Sequence, residues 1–102
     1  MMNSVQKTKY GVITTNKFNK MLKKVIKQGK DINKLKFVVE KLAAGDVLDS
    51  KYRDHQLYDT KYYKNCRECH IEPDWLLVYK YNNNDLILYL VETGSHSDLF
   101  NN

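Results

Sequence analysis

Two apolar runs, "WLLVYKY" (Trp75 to Tyr81) and "DLILYLVET" (Asp85 to Thr93), flank "NNN" and constrain this chain more than any other feature. Both are dense in Leu, Val, Ile and Tyr, and the asparagines between them are a tight-turn signal, so the pair predicts adjacent antiparallel strands. Just upstream, "RECHI" (Arg67 to Ile71) reads as a third strand of the same meander, joined through the turn "EPD" (Glu72 to Asp74).

The N-terminal half has a different period. "YGVITT" (Tyr10 to Thr15) is short and β-branched, which predicts a first strand, and Asn16 can cap a helix directly after it. In "NKFNKMLKKVIKQGK" the residues Phe18, Met21, Leu22, Val25 and Ile26 recur at helical spacing, with Gly29 as a left-handed stop. Asp31 caps a second helix with Ile32, Leu35, Val38, Val39 and Leu42 on its inner side and Gly45 beyond, so the two should form an antiparallel hairpin. Residues 46–65 lose any period yet are rich in Tyr, as an ordered functional loop would be. The order implies an α+β fold of one domain over residues 1–102, with an N-terminal strand and a helix hairpin packed on one face of a small antiparallel sheet.

Charge divides the chain. Residues 1–45 hold eleven Lys and two acids, whereas residues 46–102 hold six Lys or Arg and ten acids. A lysine-rich helix is usually a solvated face, but an excess this uneven suits phosphate backbones or an acidic protein. No apolar run is long enough for export or membrane insertion, and Cys66 and Cys69 are too close in sequence to clamp distant segments, so a reducing cytoplasm is the expected location, with no membrane partner.

Strand alternation makes Glu68 and His70 face one way, with Cys69 opposite. Because the last strand runs back beside the start of the Trp75 strand, His96 should lie close to Asp74, giving a pocket of His70, Asp74 and His96. Metal-free RNA cleavage needs a base for the ribose 2′-OH, an acid for the departing 5′-oxygen and a cation for the transition state; imidazoles and carboxylates meet the first two needs. Phe100 and Trp75 could stack on a base. Zinc is the competing chemistry, since Cys66 and Cys69 have ligand spacing, but the chain holds no second CxxC or HxxxH, and Cys69 would face away from His70. No metal or cofactor is therefore expected.

With "DHQL", "ECHIEPDWLLVYK" and "TGSHSDLF" in that order, the chain resembles the YafQ branch of the RelE-type bacterial toxins from about Tyr10 to Phe100. The resemblance implies a toxin of a type II toxin-antitoxin system: an endoribonuclease that cuts mRNA in the A site of the 70S ribosome and is neutralised by a cognate antitoxin. It also implies site residues at His55, His70, Asp74, Trp75, His96 and Phe100, with Glu68 added. His96 is then the expected general acid, Asp74 and His70 share the base or 2′-OH-orienting role, His55 positions a phosphate, Phe100 stacks on a nucleobase and Trp75 supports the wall. Lys17, Lys20, Lys23, Lys24, Lys27 and Lys30 would dock ribosomal RNA. Glu92 stands where such toxins often carry Arg, so the cation would come from Arg67, Lys61, Lys64, Arg53 or Lys51, or Glu92 would salt-bridge one of them. The alternative is a binding module of the same fold that occupies ribosome or antitoxin without cutting.

Overall fold

A computed structural model describes residues 8–58 and 60–100; residues 1–7, where an export signal would begin, lie outside the described residues. The elements are β1 (Gly11–Thr14), α1 (Asn16–Lys27), α2 (Ile32–Ala43), a 3₁₀ turn (Ser50–Tyr52), β2 (His55–Gln56), β3 (Arg67–Glu72), β4 (Trp75–Asn82), β5 (Ile87–Gly94) and α3 (His96–Phe100). They form one five-stranded sheet in the order β1-β5-β4-β3-β2. The meander β3-β4-β5 is antiparallel as expected, while β1 joins its edge in parallel to β5, so the sheet is mixed.

Local chemistry sets the junctions. Thr15, rather than Asn16, caps α1: its backbone is extended, its Oγ1 accepts from Phe18 N at 2.9 Å and donates to Val91 O at 2.7 Å, so one residue ends β1 and starts the helix. Gly29 (φ 79°) closes α1, and its N–H donates to Ile26 O. Asp31 caps α2 through Asn33 N, as its position predicts.

Phe18 and Val25 of α1 and Leu35, Val38 and Leu42 of α2 pack with Cys69, Ile71, Trp75, Leu77, Tyr79, Leu88 and Leu90 of the sheet into one core. The opposite face is covered too: Leu76 and Val78 pack with Cys66 and Leu99, flanked by Met21, Leu57, Tyr63 and Val91. The cover on this second side is built from the aperiodic loop and from α3, neither of which helical or strand periodicity could announce. Among the described residues no helix is long and apolar enough to cross a membrane.

Two irregularities aim side chains. Between His70 and Glu72 the β3–β4 register slips, and between Val78 and Tyr79 the β4–β5 register slips because Val78 pairs with Glu92 while Tyr79 pairs with Leu90. Val91 is the extra residue. Leu88 and Leu90 face the helices, so strict alternation would aim Glu92 there as well; the bulge turns it to the α3 side instead.

Candidate active site

Cross-strand pairing puts His55 opposite Glu68 and His70 opposite Leu76, all on the face that carries α3. His55 Nδ1 donates to Arg53 O at 2.7 Å and His70 Nδ1 donates to Pro73 O at 3.3 Å; a carbonyl only accepts, so each ring carries a proton on Nδ1, and Nε2 is the nitrogen whose protonation can change. Both Nε2 atoms approach Glu68 Oε1, at 3.4 and 3.8 Å. Glu68 is buried and its Oε2 has no hydrogen-bond partner among the described residues.

His96 enters the row from α3. Its ring lies 5.6 Å from that of His70, which lies 6.4 Å from that of His55. Asp74 Oδ1 accepts from both the backbone N and the Nδ1 of His96, at 2.9 and 2.7 Å, so the expected proximity is present and Nε2 of His96 is left open. Those two bonds hold the Asp74 carboxyl below the usual carboxylate range.

The motif "TGSHSD" explains how α3 is placed. Ser95 N donates to Asp98 Oδ2 at 3.0 Å and Asp98 N to Ser95 Oγ at 3.1 Å, a reciprocal cap that sets His96 in the first turn. A Cβ on Gly94 (φ 150°) would stand 3.0 Å from the Asp98 side chain, so the approach requires glycine. Leu99 anchors α3 in the second cluster, leaving Phe100 half exposed with its ring edge-on to Tyr63 at 5.7 Å.

Several expected residues take other places. Trp75 is 1% exposed and its Nε1 donates to Thr93 Oγ1 at 3.0 Å, so it belongs to the helix-side core and presents no ring face to a ligand. Arg67 pairs with Tyr79 across the strands and faces the helix side, away from Glu68 and His70, and its guanidinium donates to Asp54 at 3.0 Å. Glu92 salt-bridges Lys17, not Arg67, Lys61, Lys64, Arg53 or Lys51, and also accepts from Tyr63 Oη at 2.8 Å. Burial, aided by that bond, raises the Tyr63 phenol well above its ordinary value. Sequence reasoning missed Tyr63, which lies within a loop whose Tyr density was its only signal. Cys66 and Cys69 sit in different clusters on opposite faces, so they cannot grip one ion.

Residues 10–101 match the family model described as the bacterial toxin of type II toxin-antitoxin system, YafQ. The chain belongs to the YafQ toxin family. The mRNA interferase toxin YafQ of Escherichia coli strain B / BL21-DE3 is 38% identical over 87 residues, covering 84% of this chain and 90% of that protein. YafQ in the crystal structure of the E. coli DinJ–YafQ complex is 36% identical with a TM-score of 0.80, covering 89% of this chain and 98% of that one. A metal-bound toxin from Helicobacter pylori is 43% identical with a TM-score of 0.82, covering 89% and 99% respectively. In the YafQ-family chain described here, no group of three or more His, Cys, Asp or Glu among the described residues stands in position to hold a metal ion.

Within this YafQ-family toxin the Glu92 network ties three segments together: α1 through Lys17, the loop through Tyr63 and, by the Tyr63 ring, Phe100. Glu92→Arg is expected to set two cations side by side and leave the Tyr63 hydroxyl only its longer bond to Leu99 O at 3.4 Å, costing about 1–3 kcal/mol. Thermal melting reads the loss, and Lys17→Glu in the same chain should recover part of it; an unchanged midpoint for Glu92→Arg would show that the network adds nothing.

Proposed function

We propose that this YafQ-family toxin is an mRNA interferase, a ribosome-dependent endoribonuclease that cuts mRNA in the A site by metal-independent attack of the 2′-OH, working in the cytoplasm as one domain over residues 1–102. The observation that carries this reading is the row His55, His70 and His96, with every Nδ1 committed to an acceptor and every Nε2 left able to gain or lose a proton. In it, His70 takes the 2′-OH proton and Glu68 beside it stabilises the imidazolium formed. The 2′-oxygen bonds to phosphorus, the bond to the 5′-oxygen breaks, and His96 gives that oxygen its proton, leaving a 2′,3′-cyclic phosphate and a 5′-hydroxyl. Asp74 is better suited to fixing the His96 ring than to acting as a base, because Oδ1 already accepts two hydrogen bonds and the carboxyl is held in its weakly basic form. His55 steadies a phosphate, and the half-exposed Phe100 ring stacks on a base.

Partners follow from the surface and the family. A cognate antitoxin is one, as the DinJ–YafQ complex suggests by likeness. Ribosomal RNA is the other, met by α1. Lys17, Lys24 and Lys30 are engaged with Glu92, Asp98 and Glu72, while Lys20, Lys23 and Lys27 have no carboxylate partner among the described residues and are the cations most available to phosphate. Replacing those three with Gln should weaken ribosome binding and flatten its log–log salt dependence by about 2–3. A slope left unchanged would place the docking surface elsewhere.

The direct test maps 5′ ends on an mRNA translated by purified ribosomes. Cuts within A-site codons support the nuclease. Ribosome binding with no cuts supports the second reading, a non-catalytic module, which rests on Glu92 standing where such toxins often carry Arg.

A further inference from the structure

A groove of about 680 Å³ flanks His70 and takes no part in the chemistry of the imidazole row. Its size falls within the roughly 300–1,000 Å³ typical of small-ligand sites. It opens between the first half of α2, the 3₁₀ turn and the β3–β4 turn, with Lys34, Phe37, Lys51, Tyr52, Arg53 and His70 on its walls. Phe37 falls off the buried stripe of α2 and is 48% exposed beside the pocket, with Lys41 Nζ 5.6 Å over its ring. Lys51 Nζ stands 5.2 Å over the ring of Tyr52, giving a cation and an aromatic face at one point.

The charges in the groove are not balanced from within. Lys51 and Arg53 form no ion pair among the described residues. The acids at the rim are spoken for: Glu72 meets Lys30 at 3.4 Å and Lys34 at 2.9 Å, and Asp31 caps α2. An exposed ring, two unpaired cations and a wall shared with a site histidine suit single-stranded RNA, whose bases stack on aromatics and whose phosphates seek cations. The backbone of Arg53 also accepts from the His55 ring, so the groove meets the imidazole row at His70, on its wall, and reaches His55 through Arg53.

We propose that this groove is a nucleotide subsite next to the cut bond, where Phe37 and Tyr52 receive the base of a neighbouring nucleotide and Lys51 and Arg53 receive its phosphate. The proposal rests on the nuclease reading. Its test titrates the ¹⁵N-labelled full chain with a 2′-O-methyl RNA tetranucleotide, which cannot be cut because its 2′-oxygens are blocked.

Amide shift changes are expected along 34–37 and 51–53 as well as at His55, His70 and His96. Phe37→Ala should weaken binding roughly tenfold, as loss of one stacked base does. An abasic residue placed at the stacked position should weaken the wild type equally and add nothing to Phe37→Ala. Arg53→Gln, at an exposed position, should also weaken binding and reduce its salt dependence.

Shift changes confined to the histidines, with Phe37→Ala binding as the wild type does, would overturn the subsite and leave the nuclease standing. Absence of binding would also overturn it, while the 5′-end mapping judges the nuclease separately. Shift changes in the groove on adding cognate antitoxin, with none from the oligonucleotide, would overturn it and make the groove a protein-binding surface.

Discussion

His96→Ala is expected to lower the rate of cutting on the ribosome by about 10²–10⁴, the range that a positioned general acid supplies. The ring is solvent-exposed, so the loss should come without a matching loss of fold. Its backbone N–H can still donate to Asp74, which keeps the start of α3 in place. Asp74→Asn separates chemistry from position: the amide oxygen can still accept from Nδ1, but the negative charge that favours the imidazolium is gone. A smaller rate loss than for His96→Ala is the expected result. Single-turnover cleavage with saturating ribosomes measures both, and a His96→Ala protein that cuts at the wild-type rate would end the assignment.

Trp75→Ala should act by another route, costing about 3–5 kcal/mol because a fully buried indole leaves a cavity that the sheet and helices cannot close. Against the roughly 5–15 kcal/mol that holds a domain of this kind together, that is enough to unfold much of the protein. Trp75→Leu fills more of the space and should cost less, while offering no ring to stack. Denaturant unfolding gives the stabilities, and cleavage corrected for folded fraction gives the activity. The buried position predicts near-normal activity per folded Trp75→Leu molecule; a folded variant that could not cut would return Trp75 to the substrate.

Much of the fold and the imidazole row was legible in the sequence because the relevant signals are short-range. The helix stop at Gly29 and the cap at Asp31 depend on single residues whose backbone preferences are strong. Alternation along β3 set Glu68 and His70 on one face, and strand direction brought His96 to Asp74. The same alternation puts Arg67 on the far side with Cys69, a consequence of parity that the charge on its side chain obscured. What could not be read was non-local. A five-residue α3 has no period to detect, and β2 is two residues long and exists only because β3 offers it an edge. Tyr63 gains its meaning from Glu92, twenty-nine positions away. The orientation of Glu92 depends on a bulge that leaves no mark in "LYLVET".

That bulge gives β5 one residue more than its ladder uses. Loss of Val91 would close the ladder without turning anything, since Glu92 already pairs with Val78 and Thr93 with Leu77, whereas straightening the strand with Val91 kept would swing Glu92 toward the helices and Thr93 away from the Trp75 indole. Among descendants of this chain, the spacing from Leu90 to Glu92 is therefore free to shorten by one residue, while that from Glu92 to His96 should be kept even where the residues themselves drift.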